Sequence, residues 1–228
     1  MSITVLIADD HAVVRDGLQS MLEAQGDIEV IGHAASGYEA VGQITQLCPD
    51  IAVVDIAMPD LNGIDVTREV IKASPSIRVI ILSMYSTREY ILRALRAGAL
   101  GYVLKESAGV EVVKAIRAVH AGHRYLSEKI LDSVVEDYLS QSDAIKIKSP
   151  MERLSLRERE VLQFVVEGKS SAEMSRVLGI SAKTVDTHRS RLMKKLDIKN
   201  LGDLIKFGLR QGLTPPEEPD SPSTNTTA

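Results

Sequence analysis

Two hydrophobic rhythms alternate through residues 1–121. Short apolar, β-rich runs fall at Ile3–Ala8, Ile28–Ala34, Ile51–Val54, Ile77–Leu82 and Gly101–Leu104. Between them apolar residues recur at helical spacing, as in Val14, Leu18, Met21 and Leu22, and again in Tyr90, Ile91, Ala94 and Leu95. A strand that is apolar at nearly every position has both faces covered. Strands alternating with helices place those helices on the two faces of a parallel sheet. The pattern predicts five βα units in a flavodoxin-like, doubly wound five-stranded α/β domain with sheet order 2-1-3-4-5.

The rhythm then changes. Leu126–Leu139 reads as one helix, with Ile130, Leu131, Val134, Val135 and Leu139 on one side, inside a linker spanning 122–150. The end of that linker, Ser140–Pro150, is polar and closes on proline. Residues 151–213 carry helical spacing in short pieces and no β-rich run, which predicts a small all-α domain. Ser155 followed by Glu158 forms a capping box that opens a helix ending at Gly168. A second helix, Ser170–Leu178, closes on Gly179, and Ser181 caps a third that runs to Leu196. Two short helices joined around Gly179-Ile180-Ser181 read as a helix-turn-helix. The tail, 214–228, offers no large hydrophobic anchor and reads as disordered.

The third helix divides by geometry. Val185, Leu192 and Leu196 form a stripe that packs inward. Lys183, Asp186, Thr187, Ser190 and Lys194 lie on the other side, flanked by Arg189, Arg191 and Lys195. Short polar groups among bases on a capped helix suit a DNA major groove, with the bases meeting phosphates and the short side chains meeting base edges. Charge agrees with this division. Residues 151–213 hold 13 Lys/Arg against 8 Asp/Glu, a net +5, while the remainder is net −9. A basic module behind an acidic one suggests a polyanionic partner for the back half. Cys48 is the single cysteine, so no internal disulfide is expected and a reducing cytoplasm fits. No apolar run reaches membrane-spanning length and no secretory leader is evident, so the expectation is a cytoplasmic protein without a membrane partner.

In the predicted sheet, Asp9 and Asp10 follow the first strand, Asp55 ends the third, Ser83 ends the fourth and Lys105 follows the fifth. Strand ends of one sense share one edge, where such folds place their sites, so these scattered residues should converge. Clustered carboxylates repel unless they share a cation, and carboxylate oxygens with room for water suit Mg²⁺. A carboxylate beside such an ion can be a nucleophile forming an aspartyl phosphate, with Lys105 and the Ser83 hydroxyl available to the phosphoryl oxygens.

These segments carry a resemblance. Val53-Val54-Asp55-Ile56-Ala57-Met58-Pro59-Asp60-Leu61-Asn62-Gly63 resembles the phosphoacceptor segment of two-component response regulators. Ile7-Ala8-Asp9-Asp10-His11 resembles their acidic pair, and Gly98 through Lys105 resembles their lysine segment. The likeness covers roughly Ile3 to Ala121. It implies that Asp55 is the phosphoacceptor, that Asp9, Asp10, Asp55 and the Ala57 carbonyl hold Mg²⁺, and that Ser83 and Lys105 bind the phosphoryl group. By the same likeness Tyr102 is an aromatic switch residue that moves into space opened at Ser83.

Met151 to Gly212 resembles the LuxR-type helix-turn-helix of the NarL/FixJ response regulators, through Leu154 to Leu162, Gly168, Ile180 to His188, and Lys195-Leu196. That likeness places Asp186, Thr187 and Ser190 towards bases, and Lys183 and Thr184 near phosphates. Many relatives have lysine where this chain has Asp186, and several have Asn-Lys where it has Ser171-Ala172, so base preference does not carry over. Leu201, Leu204, Ile205 and Leu209, with Gly208, have helical spacing that serves either a homodimer seam or the domain core.

Together these readings predict a transcriptional regulator, not an enzyme, that a sensor histidine kinase phosphorylates on Asp55 and that binds double-stranded DNA as a homodimer. A receiver acting as an unphosphorylated interaction module is the alternative, and the complete set of Asp9, Asp10, Asp55, Ser83 and Lys105 argues against it. A dehalogenase-type phosphatase needs a second Asp where this chain has Ala57. A small-molecule quorum sensor would lack the carboxylate set.

Overall fold

The computed structural model describes residues 2–131 and 150–213. The expected helix beyond 131, the polar linker and the tail at 214–228 lie outside the described residues.

The front domain alternates strands and helices: β1 Ile3–Ala8, α1 Ala12–Glu23, β2 Ile28–Ala34, α2 Gly37–Leu47, β3 Ile51–Asp55, α3 Gly63–Ala73, β4 Arg78–Ser83, α4 Arg88–Ala97, β5 Gly101–Leu104 and α5 Ala108–His120. With a short further strand, β6 Tyr125–Leu126, the sheet is parallel throughout, in the order β2-β1-β3-β4-β5-β6. The sixth strand corrects the five-strand expectation. Tyr125–Leu126 pairs with Gly101–Tyr102 at the sheet edge, so Leu126 belongs to a strand and not to the start of a helix. Two residues are too few to show a period of two, which is why the pattern gave no sign of them.

Both faces of the sheet are covered, as the apolar strands require. Ile3, Val5 and Ile7 of β1 point to the side packed by α1 and α5, where Leu18, Leu22, Val112, Ile116 and Val119 meet them. Leu6 and Ala8 point to the opposite side, against α2, α3 and α4. The same alternation holds in β4, with Ile80 and Leu82 on one face and Val79 and Ile81 on the other.

The back domain has four helices, α6 Leu156–Val166, α7 Ser171–Leu178, α8 Ala182–Leu196 and α9 Leu201–Arg210, around a core that includes Val161, Phe164, Met174, Val185, Leu192 and Leu204. Serine and asparagine caps set the starts. Ser155 and Ser170 each form a full capping box, with Glu158 and Glu173, and the Ser181 and Asn200 side chains accept from the backbone N–H groups of Thr184 and Asp203. Gly168 and Gly179 follow α6 and α7 at φ 75° and 64°, the left-handed region that glycine enters without strain.

The approach of α3 to the end of β3 is tight. A Cβ on Gly63 would lie 1.9 Å from the backbone oxygen of Asp55. Gly63→Ala is therefore expected to force the two backbones apart and destabilise the chain by about 2 kcal/mol or more. Urea unfolding measures this, and an unchanged midpoint would show that the β3–α3 junction yields freely.

Candidate phosphoacceptor site and nucleic-acid interface

The C-terminal edge of the sheet gathers the acidic residues. Asp9 and Asp55 are nearly sealed from solvent, at 1% and 2% exposure, and Ser83 is fully buried. Lys105 reaches across from the end of β5, placing its Nζ 2.7 Å from Asp9 Oδ2 and 2.7 Å from Asp55 Oδ2. Asp10 stands at the rim, its Oδ1 2.7 Å from His11 Nδ1. One ligand atom from each of Asp9, Asp10, His11 and Asp55 can be chosen so that all lie within 4.8 Å of one another, so this cluster could hold a metal ion. The donors are mostly carboxylate oxygens, which fit a hard divalent cation. The sequence reading had not assigned His11; only its adjacency to Asp10 signalled it.

The electrostatics follow from burial and from one ammonium shared between two carboxylates. Burial pushes Asp55 up from 3.8 to about 6, with the charge of Asp9 adding to the rise and Lys105 opposing it. Burial works against the Lys105 ammonium, but Asp55 and Asp9 outweigh it and hold Lys105 above its ordinary value.

Ser83 and Tyr102 meet at one backbone segment. Ser83 Oγ accepts from Tyr85 N at 3.1 Å, and the Tyr102 hydroxyl donates to Tyr85 O at 2.6 Å. Tyr102 is fully buried, in the core on the α2, α3 and α4 side of the sheet. Burial raises the Tyr102 phenol well above its usual range. The segment leaving β6 covers this side of the sheet: Ile130 is fully buried in the same core as Tyr102, and Ser127 Oγ accepts from Leu104 N.

On the back domain, Lys183, Asp186, Thr187, Ser190, Arg191 and Lys194 line one open face of α8. Thr184 and Arg189 are half-buried beside it. The Thr187 hydroxyl donates to Lys183 O within the helix, while Asp186 bonds Arg189 and Ser171. In α9, Leu204 is fully buried and a Cβ on Gly208 would meet Val166 at 2.3 Å, so these two serve the domain core. Leu201 and Leu209 stay half exposed, and Ile205 lies between those extremes.

Sequence reasoning missed the contact between the two domains. Asp65 in α3 is buried, 2.7 Å from Arg159 Nε in α6, and also pairs with Arg68. In the loop after β3, Asp60 N donates to Glu167 Oε1 at 2.9 Å, and Lys169 Nζ lies 3.1 Å from Asp60 Oδ1. Tyr38 donates to Glu160 at 3.0 Å, and Tyr90 in α4 donates to Arg210 O at 3.2 Å. These contacts use α6, the turn after it and the end of α9, while the face of α8 remains open. The available signal was α6 itself, where Arg159 and Glu160 interrupt an apolar helix; both are buried, at 8% and 5% exposure.

A parallel α/β domain with a carboxylate cluster at its strand ends, joined to a helix-turn-helix with an open basic face, defines a receiver coupled to a DNA-binding module. Comparison with known proteins agrees along the chain. The family described as response regulator receiver domain matches residues 5–117, and bacterial regulatory proteins, luxR family, matches 152–207. The chain is 35% identical over 212 residues to the oxygen regulatory protein NreC of Staphylococcus carnosus (strain TM300), covering 92% of this chain and 98% of that protein. A crystal structure of a LuxR-family two-component response regulator from Aurantimonas sp. SI85-9A1 shares 33% identity at a TM-score of 0.59, covering 61% of this chain and 99% of that one. The structure of a response regulator RcsB–DNA complex shares 25% identity at a TM-score of 0.57, covering 94% and 100%. The chain belongs to the two-component response regulators of the NarL/FixJ type, with a receiver domain and a LuxR-type DNA-binding domain. Membership implies a sensor kinase as partner of the receiver and DNA as partner of the helical domain. Among the described residues no helix is long and apolar enough to cross a membrane.

Asp55 has a consequence for stability. Its folded pKa lies above 3.8, so the folded chain binds more protons than the unfolded one. The metal-free protein then loses stability as pH rises from 3.8 to about 6 and carries the full loss above that. Asp55→Asn is expected to stabilise the metal-free chain at pH 7, on the order of 1–3 kcal/mol, and to have no such effect near pH 4. Thermal unfolding across this range checks it; destabilisation at both pH values would mean that the bond to Lys105 outweighs the burial of the carboxylate.

Proposed function

We propose that Asp55 is the residue phosphorylated by the sensor histidine kinase, and that its phosphorylation controls how the LuxR-type domain binds DNA. The observation that carries this reading is Lys105 held 2.7 Å from both Asp55 and Asp9 at the sheet edge. A fixed ammonium beside a buried carboxylate is placed to offset charge on a phosphoryl group attached there. Asp9, Asp10, Asp55 and the Ala57 carbonyl are the proposed Mg²⁺ ligands. Bound Mg²⁺ would offset the remaining negative charge of the carboxylates and of the phosphoryl oxygens. Ser83 serves as hydroxyl donor to the phosphoryl group while its oxygen goes on accepting from Tyr85 N, and the Tyr102 hydroxyl, bonded to the Tyr85 carbonyl, senses a shift of that segment.

The route to the DNA-binding domain is short in this reading. The segment that starts at Asp55 reaches Asp60 and Asp65, which bond directly to Glu167, Lys169 and Arg159. A change in the β3–α3 loop therefore acts on α6 without a relay through other elements. DNA contacts are assigned to Lys183, Thr184, Asp186, Thr187, Arg189, Ser190, Arg191 and Lys194. Homodimerisation on a two-fold site is assigned to the exposed seam of α9, at Leu201, Ile205 and Leu209. The site of action is the cytoplasm, and the protein acts as a regulator without turnover of its own. The domain limits proposed are 1–121, 122–150, 151–213 and 214–228.

Intact-protein mass after incubation with Mg²⁺ and acetyl phosphate is expected to show one added phosphoryl group in the wild type and none in Asp55→Asn. No addition to either, with purified kinase also supplied, would favour a receiver that works as an unphosphorylated interaction module. Arg159→Gln is expected to leave that addition intact while shrinking the phosphodonor-induced change in DNA affinity severalfold, because it leaves Asp65 without its interdomain partner. Fluorescence anisotropy on a bound DNA duplex reads this change, and an unchanged response would rule out the α3–α6 contact as the route.

A further inference from the structure

Ser171 and Asp186, one from each helix of the helix-turn-helix, form one contact. The Ser171 hydroxyl, at the start of α7, donates to Asp186 Oδ1 in α8 at 2.8 Å. Arg189 NH2 donates to the same oxygen at 2.8 Å, and Arg189 NH1 donates to Ser171 Oγ at 3.2 Å. The three side chains close a ring across both helices of the helix-turn-helix. Both bonds to Asp186 use Oδ1, and the residue also lines the open face of α8 with Lys183, Thr187, Ser190, Arg191 and Lys194.

A carboxylate on a surface that meets phosphates costs attraction unless its charge is offset, and Arg189 supplies the offset. An isolated exposed pair would contribute little. This one is fixed by a third group from another helix, so the carboxylate is held in one orientation and Oδ2 is free of both bonds. An ionised carboxylate only accepts hydrogen bonds. In the major groove guanine presents two acceptors, thymine presents an acceptor and a methyl, and adenine presents its amino donor beside the N7 acceptor. Cytosine alone presents an amino donor without a neighbouring acceptor.

We propose that Asp186 is a specificity-determining residue that selects cytosine through Oδ2, and that Ser171 and Arg189 are positioning residues that hold it and neutralise it. This rests on the reading of α8 as the helix that enters the groove. The test is selection of bound sites from duplex DNA randomised over two half-sites, using the full chain after treatment with Mg²⁺ and acetyl phosphate. Wild type is expected to enrich cytosine at one position of each half-site. Asp186→Asn replaces one acceptor oxygen by a donor and is expected to lower discrimination for cytosine at that position about tenfold or more, shifting it towards adenine, while other positions persist. Ser171→Ala is expected to weaken the same preference by a smaller factor without changing the salt dependence of binding, since no charge is removed. If Asp186→Asn keeps the wild-type site and binds every sequence uniformly tighter, the ring is only a surface ion pair and the proposal falls. If instead Lys183→Ala and Lys194→Ala leave affinity and its salt dependence unchanged, the placement of α8 in the groove fails, and this proposal falls with it for a distinguishable reason.

Discussion

Asp9 and Asp55 have almost no access to water, and a single ammonium, that of Lys105, serves both. Desolvated carboxylates 2.7 Å from one shared cation are held in place, yet the cluster remains electron-rich because Asp10 adds a third carboxylate at the rim. The raised pKa of Asp55 expresses its burial first and the neighbouring Asp9 charge second, which Lys105 only partly offsets. Three strands meet at this point, β1 through Asp9, β3 through Asp55 and the end of β5 through Lys105, so the sheet cannot change its register without undoing the cluster. The same cluster is the reason that a cation and then a phosphoryl group are sensible ligands for this edge.

The coupling between domains depends on the cluster in a direct way. The chain leaving Asp55 turns tightly against α3, with Gly63 packed onto the Asp55 backbone, and within ten residues it has delivered Asp60 and Asp65 to the other domain. The Asp65–Arg159 pair is buried, and a buried pair is a poor source of net stability but a strong selector of geometry, because either partner alone is costly. That selectivity explains why α6 is buried almost all round. One side packs on its own helical bundle, and Leu156, Arg159 and Glu160 turn to the receiver. The docked arrangement leaves the polar face of α8 open, so it restrains where the DNA-binding domain sits without covering the surface that would read DNA.

The comparison between sequence and structure divides along a physical line. Period and capping registered the local elements: strands with two buried faces, serine caps at Ser155 and Ser181, glycines at 168 and 179, and the inward stripe of Val185 and Leu192. Topology also indicated that Asp9, Asp10, Asp55 and Lys105 would meet, since in a doubly wound parallel sheet chain order and strand ends dictate which residues share an edge. The two-residue β6 was too short to have a period.

By itself, then, the sequence determined the elements long enough to show a period, the two domains and the acidic edge, because each follows from interactions local in the chain or from topology. Only tertiary structure decided which faces meet: Asp65 with Arg159, Asp60 with Lys169 and Ser171 with Asp186. Hydrophobic patterning says that a face is buried but not against what, since apolar burial has no direction. Short-range hydrogen bonds and ion pairs do have direction, and between distant residues they exist only once the backbone has brought the partners within about 3 Å.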